Sequence, residues 1–408
     1  MSKALRLFYA AGPGNVIGTY KYWIQGLDDL SQVSVTYSAQ FYDVCDALDA
    51  QAYVISSWGE SNFLQEGRFT IEHRPVPLPQ ASGILYHLSH LWYGLQLIVS
   101  AVRFRANFAV IADGTTYWFI LSLLPWLGVQ VIPSLHCLLW RQHIPQSTTE
   151  KWIFRLSRNL FAKYCAAILV VSDSISKQVA ELTAGEHQPI MRSLPVYRKN
   201  QFAGIGEPDE DRSPFRVLFV GRIEPEKGVF DLLEIAKGFA AEGRKNISFA
   251  LCGNGSMLDS LKLAAQEVGV DSFFVCYGHC NKQHMREMFS WAHVVIVPTK
   301  TDFREGFNKV VVEGILSGRP VVTSAVCPGL SVLQDAVVEV APDNTKEYAQ
   351  ALVKLCDDRE FYEQKRRGCL DLQEQFYDVS RSWGAKLKSI LLAIQENRLV
   401  DTALSGNK

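Results

Sequence analysis

"HVVIVPTKTDFREGFNKVVVEGILSGRPVVTS", residues 293 to 324, changes its hydrophobic period within one short span. "HVVIVPT" is an almost continuous β-branched run, the pattern of a strand covered on both faces of a parallel sheet. "KTDFREGF" is polar, contains glycine, and reads as the loop at that strand's carboxyl end. "NKVVVEGILSG" reads as a helix closed by glycine, and "RPVVTS" begins the next strand. Strand, loop, helix and strand make a βαβ unit, so the fold class is α/β with a parallel sheet. Two glutamates stand out: Glu305 hangs in the loop, and Glu313 falls about one and a half turns into the helix.

The same alternation runs along the whole chain. Strands are expected near 5–10, 33–38, 52–57, 108–112, 129–134 and 167–172 in the first half. The second half repeats the theme near 216–221, 247–252, 273–277, 293–298, 319–323 and 337–341, with helices between. "YRKNQFAGIGEPDEDRSP", residues 197–214, is charged, rich in glycine and proline, and reads as a linker. After about residue 343 only helices are expected, ending in a polar tail from about Asp401. A chain of 408 residues is too long for one ordinary core. The expected organisation is two doubly wound Rossmann-like domains, 1–196 and 215–378, followed by a C-terminal helix and tail over 379–408. Ligands then belong where strand carboxyl ends face the cleft.

Lys plus Arg number 41 and Asp plus Glu 42, a balance that offers no broad field for nucleic acid or an anionic membrane. Any basic site is therefore local. "MSKALRLFYAAG" reads directly into a strand, without the parts of a signal peptide, so a cytoplasmic location is expected. Nine cysteines, scattered from Cys45 to Cys369 and set mostly in apolar runs, read as reduced thiols. "TTYWFILSLLPWLGVQVIPSLHCLLW", residues 115–140, carries no formal charge. Pro125, Gly128 and Pro133 divide it into a helix to about Trp126 and a buried strand from about Val129 rather than a membrane span. Next, "TTEKWIFRLSRNLFAKY" sets Trp152, Phe154, Leu156 and Leu160 among Lys151, Arg155, Arg158 and Lys163. Such a basic amphipathic helix is either a solvated surface helix or one that lies on a bilayer.

Each chemical motif has a plain reading beside it. "AAGPGNVIGTY" places Gly12, Gly14 and Gly18 after the first strand, one residue off the dinucleotide spacing, and "VSVTYSAQF" offers no acidic ribose ligand. It is a tight strand-to-helix turn or a loop that approaches a ligand. "CYGHCNKQH" gathers Cys276, His279, Cys280 and His284, but Cys276 sits in an apolar strand and no second cluster completes a zinc set. No Asp-x-Asp pair follows a strand, so no metal site is expected. In "RVLFVGRIEPEKGVFDLLEIAKGF" a strand ends at Gly221, Arg222 and Lys227 occupy the loop, and Gly228 opens a helix. Two loop cations are ordinarily just solvated; at a strand's carboxyl end they also suit a diphosphate. Gly306, Phe307, Asn308 and Lys309 offer free backbone N–H groups at a helix start, which favours an anion. Glu313, among valines and Ile315, is either solvated or a buried acid that wants a hydroxyl donor.

Taken together, "VGRIEPEKG", "CGNGSMLDSL", "YGH" and "REGFNKVVVEGILSGRPVV" resemble the nucleotide-binding half of the retaining glycosyltransferases of family four, with the GT-B fold. The likeness runs in order from about residue 215 to 360, whereas the first half fits in architecture alone. The resemblance implies that Arg222 and Lys227 bind the donor diphosphate and stabilise the leaving group. Glu305 would meet the donor sugar's hydroxyls from behind the anomeric carbon, and Glu313 would hold the ribose. Gly306 to Lys309 would present backbone amides, while Gly253, Asn254 and Gly255 would let the backbone approach the nucleotide. The glycine turn of the first domain fits the family in architecture, and Gly12 and Gly14 are its cofactor-binding candidates. His136 matches a histidine that contacts the transferred sugar; a lone histidine is otherwise structural. Asn308 and Lys309 stand where the family often has Gly-Leu, which leaves the donor sugar open.

The expected activity is transfer of a sugar from a UDP- or GDP-sugar, with no further cofactor, to a glycan, lipid-linked or small-molecule acceptor in bacterial surface polysaccharide or glycoconjugate synthesis. No nucleic-acid partner is expected, and peripheral contact with the inner membrane face accompanies a lipid-linked acceptor. Rival readings are a nucleotide-sugar epimerase of the same fold, a non-catalytic nucleotide-binding protein, and a nicotinamide oxidoreductase. Both glutamates and both cations count against the second rival, and the missing acidic ribose ligand counts against the third.

Overall fold

The computed structural model describes residues 4–244, 246–396 and 398. The chain forms two compact units: Met1–Leu139 with Gln146–Val196 and Val379–Lys408, and Trp140–Pro145 with Tyr197–Asp378. The polar tail expected from Asp401 lies outside the described residues.

The first unit is built on β1 (Arg6–Ala10), β2 (Gln51–Ser56), β3 (Asn62–Glu66), β4 (Phe69–His73), β5 (Phe108–Ala112), β6 (Gln130–Leu135), β7 (Ile168–Val170) and β8 (Ile190–Arg192). They lie in the order β3-β4-β2-β1-β5-β6-β7-β8. All neighbours are parallel except β3 and β4. Runs such as "FAVIA" in β5 are buried at every position because helices cover both faces. Leu7, Val54, Val110, Ile132 and Leu169 form the core, and the terminal helix Trp383–Gln395 adds Trp383, Leu387, Ile390 and Leu391 to it.

The strand expected at 33–38 is not one. Val35 makes a single backbone bond to the Val196 carbonyl, and Thr36 Oγ1 then accepts from Ala39 N at 3.1 Å, capping the helix Tyr37–Ala47. The hydroxyl that reads as a β-former here works as an N-cap. The sheet position beside β1 goes to β2, and the hairpin β3–β4 and short β8 extend the sheet beyond the expected strands. The uncharged run divides as expected, into helices Trp118–Leu121 and Leu123–Trp126 and then β6. Among the described residues no helix is long and apolar enough to cross a membrane.

The second unit holds β9 (Phe215–Val220), β10 (Ile247–Cys252), β11 (Phe274–Gly278), β12 (Val294–Val297), β13 (Val321–Ser324) and β14 (Val337–Val340). Their order is β11-β10-β9-β12-β13-β14, all parallel. The order reverses between β9 and β12, and at such a switch point the flanking loops open a crevice at the carboxyl ends. Val229, Leu232, Leu233, Ala236 and Phe239, the apolar face of helix Val229–Ala241, are buried against this sheet. Residues 197–214 carry a short helix, Lys199–Phe202, and are held to the second unit: buried Arg319 donates to the Gly206 carbonyl at 2.8 Å.

Candidate functional site

Three loops meet at the carboxyl ends of β9, β10 and β12, and they can do so only where side chains are absent. Gly228 has φ +73°, and a Cβ there would stand 2.1 Å from the Pro298 carbonyl oxygen after β12. Gly253, at φ +149°, would place one 1.8 Å from the Gly221 oxygen. Backbone bonds close the assembly: Ile223 N donates to the Asn254 carbonyl at 2.9 Å and Gly253 N to Gly278 at 2.7 Å. Gly255 sits equally tightly over Ile223, with a Cβ 2.2 Å from its oxygen. Glu224 fastens the edge by accepting from Ser256 N and Oγ, both at 2.7 Å.

On this floor Lys227 Nζ lies 2.9 Å from Glu305 Oε2, and the two side chains are only 15 and 13 % exposed. The pair joins the β9 loop to the β12 loop. Glu305 also accepts from Asn308 Nδ2 at 3.1 Å and from Gly306 N at 3.2 Å, so three donors fix the carboxylate. Phe303 forms the platform: Lys227 Nζ stands 3.7 Å above its ring centroid and the Arg222 guanidinium 5.7 Å. Arg222 is largely exposed and leans on Glu226 at 3.2 Å, so it is free to turn toward an incoming anion. Phe303 was missed in the sequence because a loop phenylalanine looks like a packing residue.

Asn308 begins the helix Lys309–Leu316, its Oδ1 accepting from Val310 N at 3.1 Å. Phe307 turns its ring inward, against Gly329 and Phe376, so its side chain serves packing. Glu313 is 8 % exposed, and no hydrogen bond to its carboxyl group occurs among the described residues. Burial pushes its pKa up to about 7, against the opposing pull of Lys309. The Lys309 ammonium is itself pulled below its usual value by desolvation, with Glu313 raising it. A buried acid with no hydrogen-bond donor is costly unless a ligand supplies one.

The first unit carries its own cluster at the ends of β5 and β6. Asp113 accepts from His136 N at 3.0 Å and from Cys137 N at 2.9 Å, which fixes the turn after β6. His136 Nε2 meets Ser134 Oγ at 3.0 Å, and that hydroxyl accepts from Trp383 Nε1 at 2.7 Å. The Tyr37 ring lies against the imidazole, with centroids 4.1 Å apart. Tyr37 could not be found in the sequence because residues 33–38 read as a strand; Asp113, the acid that ends "AVIAD", could have been. Gly12 has φ +71° and accepts from Ser57 N at 2.8 Å, while Gly14 has open space where a Cβ would be. Asn15 caps the following helix Val16–Trp23 by accepting from Gly18 N at 2.8 Å, so the glycine run is a helix-entry turn. Cys276, His279, Cys280 and His284 form no metal cluster, and none of three or more such groups occurs among the described residues.

Residues 203–368 match the sequence model of the family described as Glycosyl transferases group 1. The chain is 28 % identical over 161 residues to an uncharacterised glycosyltransferase of Methanocaldococcus jannaschii, an alignment spanning 39 % of each protein. It is 23 % identical over 269 residues to the alpha-D-kanosaminyltransferase of Streptomyces kanamyceticus, covering 62 % of this chain and 68 % of that one. The chain thus spans well under two thirds of the first of these relatives. Among solved structures, HepE of Anabaena in complex with UDP superposes over 96 % of this chain and 99 % of its own, with a TM-score of 0.64 and 14 % identity. The fold is that of the GT-B glycosyltransferases.

Proposed function

We propose that the chain, whose residues 203–368 match the sequence model of the glycosyl transferases of group 1, is a retaining glycosyltransferase using a UDP- or GDP-sugar. The carrying observation is the Lys227–Glu305 pair over Phe303 at the switch point, with Arg222 beside it. A donor diphosphate laid over Phe303 would draw Lys227 and Arg222 to its oxygens. As the anomeric carbon–oxygen bond breaks, the electron pair passes to the phosphate, and the two cations take up the charge that develops there. Glu305, released from Lys227 and still held by Asn308 and Gly306, would accept from the sugar's hydroxyls and favour the positive charge growing on the ring. The acceptor hydroxyl attacks from the face the phosphate leaves, its proton passing to the departing phosphate, so no protein nucleophile is required and the anomeric configuration is kept. Glu313, buried without a donor, would receive the ribose hydroxyls. His136, anchored by Asp113 and packed against the tilted ring of Tyr37, would meet the transferred sugar.

The acceptor we infer is a glycan or a lipid-linked sugar of surface polysaccharide or glycoconjugate synthesis. A panel of UDP- and GDP-sugars, read by thermal shift and by slow donor hydrolysis, tests the donor. One nucleotide sugar at about a hundred times its Kd adds about 2.7 kcal/mol of stability. If none shifts the melting curve the proposal fails, and a product of inverted anomeric configuration by NMR overturns the retaining mechanism.

A further inference from the structure

The helix Gly83–Arg103 of the first unit turns an apolar face outward. Ile84, Leu88, Trp92, Leu95, Val99 and Val102 recur at steps of four and three and so form one stripe. Every one is exposed, Ile84 by 77 % and Trp92 by 57 %, while Tyr93, Leu97, Ile98 and Ala101 bury the opposite face in the unit. The helix Leu123–Trp126 packs beside it and adds Trp126, 75 % exposed. Helix Trp118–Leu121 touches both Gly83–Arg103 and the basic helix Thr148–Asn159, which exposes Trp152 and Leu156. Apolar residues on an ordinary surface are scattered singly; here they form a stripe along one helix and recur on helices that pack nearby.

Charge is arranged around this patch. Within the first unit, residues 75–139 and 146–172 contain six Lys and Arg and only two Asp and Glu, in a chain whose total is −1. Gly83–Arg103 holds no acid, and Arg103, Arg105, Lys151 and Arg155 are exposed at its end or on the neighbouring basic helix. Arg155 lies 5.4 Å from the Trp152 ring, the amphipathic pairing suited to a headgroup layer.

We propose that this face docks on an anionic bilayer surface, the stripe entering the headgroup–acyl boundary and the cations meeting lipid phosphates. The helix is amphipathic, with one face in the protein core, so it lies in the plane of the membrane rather than across it. A two-fold pairing with a second copy would set the same cations against each other, which disfavours that occupant. The inference rests on the proposed transferase reading only in making the acceptor lipid-linked; the docking itself follows from the surface alone.

Flotation of the full chain with vesicles of phosphatidylcholine, with and without phosphatidylglycerol, at low and high salt, tests it. The protein is expected to float with the anionic vesicles at low salt and to be released by salt. Trp92→Glu with Leu95→Glu, both on the exposed stripe, should lower the lipid partition at least about tenfold. Arg155→Glu should lower it about fivefold. Wild type that stays with the soluble fraction at low salt overturns the proposal, as do stripe variants that float like wild type. A wild-type dimer in ultracentrifugation that the stripe variants break, with no flotation, assigns the face to a second copy and overturns it too. Nucleotide sugars run in parallel by thermal shift keep the two readings apart: flotation without any shift leaves the surface standing and removes the transferase.

Discussion

At the residue scale, Glu305 and Glu313 share a helix–loop segment and differ in partners. Glu305 is already satisfied by Lys227, Asn308 and Gly306, so removing its charge should not disturb nucleotide binding. Glu305→Gln keeps the shape and is expected to lower turnover on the order of 10²- to 10³-fold while the nucleotide Kd moves less than about threefold. Steady-state kinetics beside calorimetric titration of the nucleoside diphosphate separates these; a parallel loss of affinity would return Glu305 to a binding role. Glu313 should behave in the opposite way. Its pKa near 7 in the folded protein exceeds the ordinary 4.5, so the folded state holds an extra proton between those values. Stability contributed by that proton is present below about 4.5 and lost as the pH rises through about 7, at most on the order of 3 kcal/mol. A ribose hydroxyl donates to the carboxylate and favours the charged form, so nucleotide affinity should fall as the pH drops below about 7. Glu313→Gln should flatten both profiles. An unchanged affinity profile in the variant would remove Glu313 from the ribose.

At the scale of elements, both glutamates and both cations could be placed in their loops and helix before any coordinates, because periodicity marks a buried parallel strand and composition marks the loop after it, whereas Gly253 and Gly255 could be named only through the family resemblance. What stayed hidden was contact across the sequence. Phe303 under Lys227, Tyr37 on His136 and Asp113 under the β6 turn are partnerships of topology, and no local pattern announces them. Residues 33–38 misled for a local reason: "VSVTYS" alternates like a strand, yet Thr36 spends its hydroxyl on a cap. Two glycines of one stretch show how position decides cost. Gly228→Ala must hold a side chain at φ +73° against the Pro298 carbonyl and is expected to destabilise by at least about 1–3 kcal/mol and to weaken nucleotide binding. Gly238, inside helix Val229–Ala241 with nothing within 4 Å, is the contrast: Gly238→Ala should stabilise by about 0.5–1 kcal/mol. Melting curves with and without nucleoside diphosphate read both, and a harmless Gly228→Ala would show that the loops do not need their close approach.

At the scale of the whole molecule, a total charge near zero conceals a basic stretch of the first unit, residues 75–139 and 146–172, because totals average what the fold separates. Averaging also hides where the chain's end belongs. The spacing of Trp383, Leu387, Ile390 and Leu391 declares an amphipathic helix, but only the structure says which sheet it covers: the first one, reached after the chain has built the second unit. Trp383 is 1 % exposed, packs on Tyr9 and Tyr37, and donates to Ser134, the hydroxyl that meets His136. The last tryptophan of the chain thus supports a residue set by its first third. Trp383→Ala should cost about 3–5 kcal/mol of the first unit's stability through the cavity it leaves. Lost positioning of His136 and Tyr37 should then lower turnover, while the second unit, whose site residues all lie between Arg222 and Glu313, should keep its nucleotide Kd within about twofold. Trp383→Phe restores most of the volume but not the N–H donor. It should recover most of the stability and less of the turnover, which isolates the bond to Ser134 from the packing. Calorimetric melting, nucleotide titration and kinetics on the two variants decide the matter: equal recovery of stability and turnover in Trp383→Phe would mean that the indole supports the site by bulk alone.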